Sequence, residues 1–323
     1  MKAILLLLLI PTRAVLCFTL LTFDVDGTLV KGSGRAAAES AHARAFSHAV
    51  STVLNNSQPI APVADALPIQ LYHGSTDGLI LLRLARATLG MESKESFQKL
   101  EEMFGCMYAF MSDMDEEEIA AHITPLPGVM DHLGTLATMK DRVMCGLVTG
   151  NVEGVARKKM KAVGIYGTNA LSPPCATQKQ WEGSEQYGFL GGFGSDFCSG
   201  DIATLERNHL DRGEQIAIAA NRCKNILKKE VNDNDAPAQH LERVVHVGDA
   251  PADVLAAKWF SERQNEGKID EKVCVGCVAV ATGSYSAEEL RDLAGEPIIG
   301  VWEPVILEEG MGDPNFLNAC GIL

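Results

Sequence analysis

The chain lacks several features that would assign it quickly. It has no apolar run long enough to cross a bilayer. The longest, "AILLLLLI" at residues 3–10, would extend only about 12 Å as a helix. It is short of positive charge, with 28 basic against 42 acidic residues and a net charge of -14. A surface of that sign argues against nucleic acid and anionic membranes as partners. It also obliges any phosphate-bearing ligand to find locally placed cations. No second cysteine pair has metal spacing. Of nine cysteines only Cys274 and Cys277 form a C-x-x-C, inside the strand-like "VCVGCVAV", where a spacing of three turns them to opposite faces. A chain of 323 residues needs no disulfide framework, so the cysteines read as reduced and mostly buried. There is no internal repeat and no low-complexity tract.

The N-terminus keeps two readings open. Lys2 precedes the apolar run, and Pro11, Thr12 and Arg13 follow it. This resembles a signal h-region cleaved after Cys17, which would spare a strand starting near Phe18 and imply a secretory or organellar protein. It equally reads as a tolerated extension, or a start codon placed too early, on a cytoplasmic protein.

What is present has the pattern of an α/β protein. Residues 18–24, "FTLLTFD", read as a buried strand. Helical patterns then dominate: 35–50, 79–89 and 94–111, with a Pro- and Asn-bearing loop at 55–68 and an acidic run, "DMDEEE", at 113–118. After that, strands at 141–150, 187–194, 243–249, 274–283 and 297–302 alternate with helices at 153–164, 203–228, 251–260 and 286–294. Alternation of this kind predicts a doubly wound parallel sheet covered on both faces, with the early helical block inserted after the first strand. Loops at 224–241 and 263–272 read as surface insertions.

Ligands of open parallel sheets bind beyond the carboxyl ends of the strands, so the residues there carry the chemistry. The first strand ends in "DVDGT": Asp24 and Asp26 share a face, Phe23 and Val25 point away, and Gly27 and Thr28 follow. Two carboxylates so close repel each other and call for a cation. The second strand ends in Thr149-Gly150-Asn151. The "RVVHVGD" strand ends in Gly248-Asp249, with Asp253 one turn further on. Asp24 and Asp249 can supply carboxylates to Mg²⁺, Asp26 its carbonyl, and Asp253 a direct or outer contact. A carboxylate can attack phosphorus, backbone N–H groups and a hydroxyl can cradle phosphate oxygens, and a lysine can neutralise the transition state. Thr149 and Asn151 also suit the capping of the next helix. The segment "HGSTDG" (73–78) reads equally as a helix N-cap or a loop facing the site, "GGFGSD" (191–196) as a turn, and His246 as a core histidine.

Together "DVDGTLV", "LVTGN", "ARKKMKAVGI" and "HVGDAPADVLAA" resemble, in order, the four motifs of the haloacid dehalogenase-like hydrolase superfamily. "VAVATGSYSAEEL" is similar to the segment that follows them in phosphoglycolate-phosphatase-like members. The resemblance spans 18 to about 302. It implies a Rossmann-like core (18–30 and 126–323), a helical cap (31–125) and, at 1–17, the presequence discussed above. It implies Asp24 as nucleophile, Asp26 as general acid and base, Thr149 and Lys159 as holders of the phosphoryl group, and Asp249 and Asp253 as completing a Mg²⁺ site. Gly27, Thr28, Gly150 and Asn151 would line the phosphate cradle. Lys159 is chosen over Arg157 and Lys158 on the Ala-x-x-Lys spacing from Ala156. The second aspartate of "DVD" separates this chain from the metal-free dehalogenases. The implied activity is Mg²⁺-dependent hydrolysis of a small phosphorylated metabolite, with phosphoglycolate the nearest named substrate. A sugar phosphomutase, using Arg35, Arg83 or Arg86 as a second phosphate clamp, and an inactive phosphate-binding relative are the alternatives. The flexible "VKGSGR", with Gly32 and Gly34, departs from the family's usual Asp-Ser or Asp-Thr and suits a hinge.

Overall fold

A computed structural model describes residues 15–32, 40–54, 59–168, 170–171, 190–230, 238–265 and 272–323. The strands are β1 (Val15–Phe23), β2 (Val30–Gly32), β3 (Ile123–Pro125), β4 (Val143–Thr149), β5 (Gly191–Phe193), β6 (Ala238–Gly248), β7 (Cys274–Val280) and β8 (Trp302–Leu307). The principal helices are α1 (Ala41–Val53), α2 (Asp77–Leu89), α3 (Leu100–Ser112), α4 (Val129–Leu136), α5 (Glu153–Ala162), α6 (Arg207–Glu230), α7 (Pro251–Asn265) and α8 (Ala287–Ala294). Six strands form one parallel sheet in the order β5-β4-β1-β6-β7-β8. The chain moves outward from β1 to β4 and β5, then returns to lay β6, β7 and β8 on the other side. The order therefore reverses beside β1, where a ligand crevice forms at the carboxyl edge.

Alternation along β1 decides what lies on each face. Leu21, Phe23 and the following Val25 join Leu133 of α4 and Met160 of α5 in one core. Phe18 and Leu20 join Ile216 and Ala220 of α6 and Val254 and Phe260 of α7 in the other. Asp24 continues the second series, so it projects toward α6. This α/β sheet with a helical insertion after its first strand is the fold class expected from the sequence.

The inserted helices pack on a third apolar cluster, with Phe46 of α1, Leu81 and Leu84 of α2, and Met103 and Met107 of α3. Val152 and Val155, at the start of α5, enter the same cluster. Ser40 begins α1 by accepting from the Ala43 N–H at 3.2 Å. Thr76 begins α2 in the same way, and Gly90, at φ 67°, ends it. The chain leaves and re-enters the sheet through the antiparallel pair β2–β3, which sets Val30 opposite Pro125 and Gly32 opposite Ile123.

Several expectations change. β1 starts at Val15, not Phe18; Val15, Leu16 and Cys17 pair with Ala238, Gln239 and His240, so cleavage after Cys17 would remove three paired residues. The supposed insertion at 224–241 is mostly regular: α6 runs to Glu230 and β6 starts at Ala238. The last strand is Trp302–Leu307, not 297–302; Ile298 and Ile299 are exposed in the turn before it. The helix expected over 94–111 is two, Ser93–Gln98 and Leu100–Ser112, broken at Lys99. The loop at 55–68 carries a short helix, Val63–Ala66. Residues 1–14, Gly34, Arg35, the segment with Pro173 and Pro174, and most of 263–272 lie outside the described residues. Among the described residues no helix is long and apolar enough to cross a membrane.

Candidate active site

β1 ends at Phe23, and the Asp24 N–H still donates to Val247 of β6 at 2.9 Å. This fixes Asp24 at the sheet edge beside Asp249. Ligand oxygens of Asp24, Asp249 and Asp253 lie within 4.8 Å of one another, and all three residues are buried. From the other side α6 inserts Arg212, whose Nη1 lies 3.0 Å from Asp24 Oδ1 and 2.6 Å from Asp253 Oδ1. Arg212 lay outside the sequence reading; its only signal was an arginine on a long helix with no position relative to β1.

The three acids differ in what surrounds them. Asp253 accepts from Arg212, from His246 (3.2 Å) and from the Ala250 N–H (3.0 Å). Burial alone would raise its pKa, but Arg212 foremost, and then His246, hold it below the ordinary carboxylate value. His246 is buried between Thr22 and Asp253, a core position that braces the site from behind. Among the described residues Asp249 has one hydrogen-bond partner, the Thr28 hydroxyl at 3.2 Å, and its Oδ2 is buried without any. Burial, then the charges of Asp24 and Asp253, push its pKa well up. Burial also pushes Asp24 up to about 6, against the pull of Arg212. Three hard oxygen donors, one of them orphaned and held by burial toward its neutral form, fit a hard divalent cation such as Mg²⁺. Gly27, at φ 90°, leaves the room: a Cβ there would collide with the Asp249 carboxylate.

Asp26 turns away from this cluster. Its side chain is 49% exposed, and Lys159 Nζ lies 2.9 Å from Oδ1 and 2.7 Å from Oδ2. Its carboxylate is therefore not a member of the acid cluster, as the expected use of its carbonyl alone allows. Burial of the cleft acts upward on Asp26, but Lys159 outweighs it and lowers the pKa to about 2. Lys159 is itself buried and also donates to His42 Nδ1 (2.8 Å) and Asn151 Oδ1 (2.9 Å). Its three N–H bonds are thus all used. Arg157 and Lys158 stay at intermediate exposure on the same helix.

His42 comes from the inserted helices and was not singled out from the sequence. An ammonium can only donate, so His42 Nδ1 accepts, and its proton sits on Nε2 facing Asp77 Oδ2 at 3.1 Å. That same oxygen accepts from the Val152 N–H at 2.8 Å. A hydrogen-bonded chain Asp77–His42–Lys159–Asp26 thereby joins inserted helices to sheet.

The remaining expected residues divide. Gly27 lines a cavity of about 520 Å³ and Asn151 a smaller one that shares Asp26 and Asp249 with it. Thr28 is committed to Asp249. Thr149 is buried, and its hydroxyl accepts the Asn151 N–H at 3.3 Å. The Gly150 carbonyl accepts the Asp77 N–H at 2.7 Å. Thr28, Thr149 and Gly150 line neither cavity. Helix α5 takes no side-chain cap from Thr149 or Asn151; its N-cap is Val152. In "HGSTDG" both readings are realised, since Thr76 caps α2 while Ser75 and Asp77 line the smaller cavity. "GGFGSD" makes a turn after β5, where Asp196 accepts the Phe193 N–H. Arg83 is buried and spent on Leu71 O, Ser75 and Asn208, and Arg86 is exposed.

A family model described as haloacid dehalogenase-like hydrolase matches residues 18–260. The chain belongs to that family. It is accordingly a hydrolase. Among solved structures, a hydrolase from Pseudomonas syringae shares 17% identity over 93% of this chain and 98% of that chain, with a TM-score of 0.41. CbbY from Rhodobacter sphaeroides, in complex with phosphate, shares 13% over 94% and 98%, with a TM-score of 0.44. A HAD family hydrolase from Deinococcus radiodurans, with bound phosphate and sodium, shares 16% over 95% and 97%, with a TM-score of 0.39. Likenesses this distant carry no substrate and no residue role across. No curated protein matches the chain.

Proposed function

We propose that this hydrolase is a Mg²⁺-dependent phosphatase that cleaves a small phosphomonoester through an aspartyl-phosphate on Asp24. The observation that carries the reading is the meeting of Asp24, Asp249 and Asp253 within 4.8 Å, in the cleft where Lys159 holds Asp26. Asp24 and Asp249 would hold Mg²⁺ with the Asp26 carbonyl. Asp253, whose two oxygens are engaged elsewhere, would serve from the outer shell. The ion supplies charge neutralisation to the transferring phosphoryl group.

Asp24 attacks phosphorus as the bond to the leaving alcohol breaks, and Asp26 gives that alkoxide its proton. In the second step Asp26 takes a proton from water, which attacks the phosphorus and frees Asp24 and phosphate. The acid role conflicts with a pKa of about 2, and Lys159 resolves it. Having no spare N–H, Lys159 takes up a phosphoryl oxygen by releasing Asp26. Asp26 then loses the cation that keeps it ionised and can carry a proton. Residues 18–30 and 126–323 would form the catalytic core, with 31–125 as cap; the β2–β3 stem and the separate apolar cluster support that division. Gly27 and Asn151 would assist at the phosphate, and Thr149 would hold the Asn151 backbone from behind.

The test is phosphate release from a phosphomonoester panel, with and without Mg²⁺. Asp24→Asn is expected to lower turnover by about three orders of magnitude or more. Undiminished release would reject Asp24 as nucleophile.

A further inference from the structure

We propose that the alcohol this enzyme releases is apolar, so that its substrates are aryl or alkyl phosphates rather than phosphoglycolate or sugar phosphates. The inference rests on the phosphatase reading above and deepens it. A cavity of about 520 Å³ opens directly from Asp26, Lys159 and Asp249. That volume falls in the range of about 300–1,000 Å³ that encloses drug-sized ligands, far more than a two-carbon acid fills. Its floor, at the sheet edge, is polar and includes Thr282 and Ser284.

Among the described residues its roof is mainly apolar; Ser40 and His42 also line it but are already bonded, and Tyr72 and His73 are its other polar members. Phe46, Val63, Ile80, Met111, Ile119 and Ile123 come from six separate segments and meet over the floor. Each is 7% exposed or less. A sugar beneath them would bury most of its hydroxyls against methyl and phenyl groups, with Tyr72 and His73 the polar groups left to meet them among the described residues. Among the described residues a single cation is left on the wall to meet a second anion. Lys159 is fully bonded, Arg83 is engaged outside this cavity, and Lys31 of β2 is the remaining lysine on the wall. A polar floor under an apolar roof fits a phosphate joined to a hydrocarbon body.

The experiment uses the full chain with Mg²⁺ and measures phosphate release from ethyl, butyl, hexyl and phenyl phosphate, phosphoglycolate and glucose 6-phosphate. The expected kcat/KM rises about fourfold per methylene from ethyl to hexyl. Phenyl phosphate is expected to exceed phosphoglycolate and glucose 6-phosphate by about tenfold or more. Ala64→Asp, at an exposed position on the cavity wall, is expected to make the chain-length dependence shallower. A flat or falling series, or preference for phosphoglycolate or the sugar phosphate, overturns the inference and leaves the phosphatase reading standing. A gradient unchanged in Ala64→Asp also counts against it. No release from any of the six overturns the phosphatase reading and the inference together.

Discussion

Two aspartates two residues apart repel each other if both are charged and unaccompanied. This chain separates their surroundings instead of leaving the problem to an ion alone. Asp24 meets Arg212 and Asp26 meets Lys159, each pair at 3.0 Å or less. The balance differs: burial pushes Asp24 up to about 6 against the pull of Arg212, whereas Lys159 outweighs burial at Asp26 and holds it down at about 2. Both shifts run against the proposed roles until a divalent cation favours ionised Asp24 and a phosphoryl oxygen draws Lys159 away from Asp26. His42 and Asn151 together keep Lys159 aimed. Losing one hydrogen bond to a charged group costs about 1.5–3 kcal/mol, so His42→Ala should lower kcat/KM by roughly tenfold or more. His42→Gln, which can accept from Lys159 and donate to Asp77, should recover most of it. Equal kcat/KM in wild type and His42→Ala would show that the chain through His42 is incidental. The sequence could point to the acids, because strand ends followed by Gly or Thr mark them locally. It could not point to His42 or Arg212, because both are delivered from remote helices whose docking is a tertiary event.

At the scale of elements, one joint between inserted helices and sheet is a backbone contact. The Asp77 N–H, in the first turn of α2, donates to the Gly150 carbonyl at the end of β4. A Cβ on Gly150 would press into the Ser75 carbonyl and the Thr76 Cα. Backbone atoms cannot swing aside as a side-chain tip can, so Gly150→Ala should displace the start of α2 and lower both Tm and kcat/KM. Gly105 is the control: it lies inside α3 with nothing within 4 Å of an added Cβ. Gly105→Ala should stabilise by about 1 kcal/mol in urea unfolding and leave turnover alone. Matching effects in the two variants would mean that the Gly150 contact does not govern the joint. The same scale shows which elements could be read in advance. β4 and β7 are apolar runs bounded by polar or Gly residues, and α8 carries its capping box, Ser286 with Glu289, in plain sequence. β8 was misplaced because Glu303 and Pro304 interrupt its apolar pattern, and its pairing with Val275–Val280 is what makes it a strand. The amino half of β6, "AQHL", is polar enough to read as loop, yet pairing with Val15–Phe18 extends it.

For the whole molecule, the order reversal of the sheet brings the ends of β1 and β6 together, and the helix after β6 adds the third acid. Asp24, Asp249 and Asp253 would carry three negative charges into a buried space in a protein whose net charge is already -14. Arg212 offsets one of them, and Asp249 Oδ2 stays without a partner. Ion binding at these acids would therefore be linked to fold stability. Arg212→Met removes the internal cation and, in chelator, should cost about 3–5 kcal/mol in urea unfolding, as loss of one partner from a buried ion pair does. On the proposed function Mg²⁺ would bind the folded acids and not the dispersed ones, so at a hundredfold excess over its Kd it should return about 2.7 kcal/mol. Wild type should also gain from Mg²⁺, and Asp249→Asn should abolish that gain, because it removes the least compensated donor. If Mg²⁺ moved neither protein's unfolding midpoint, the three acids would be a structural cluster balanced by Arg212, and the phosphatase reading would lose its metal.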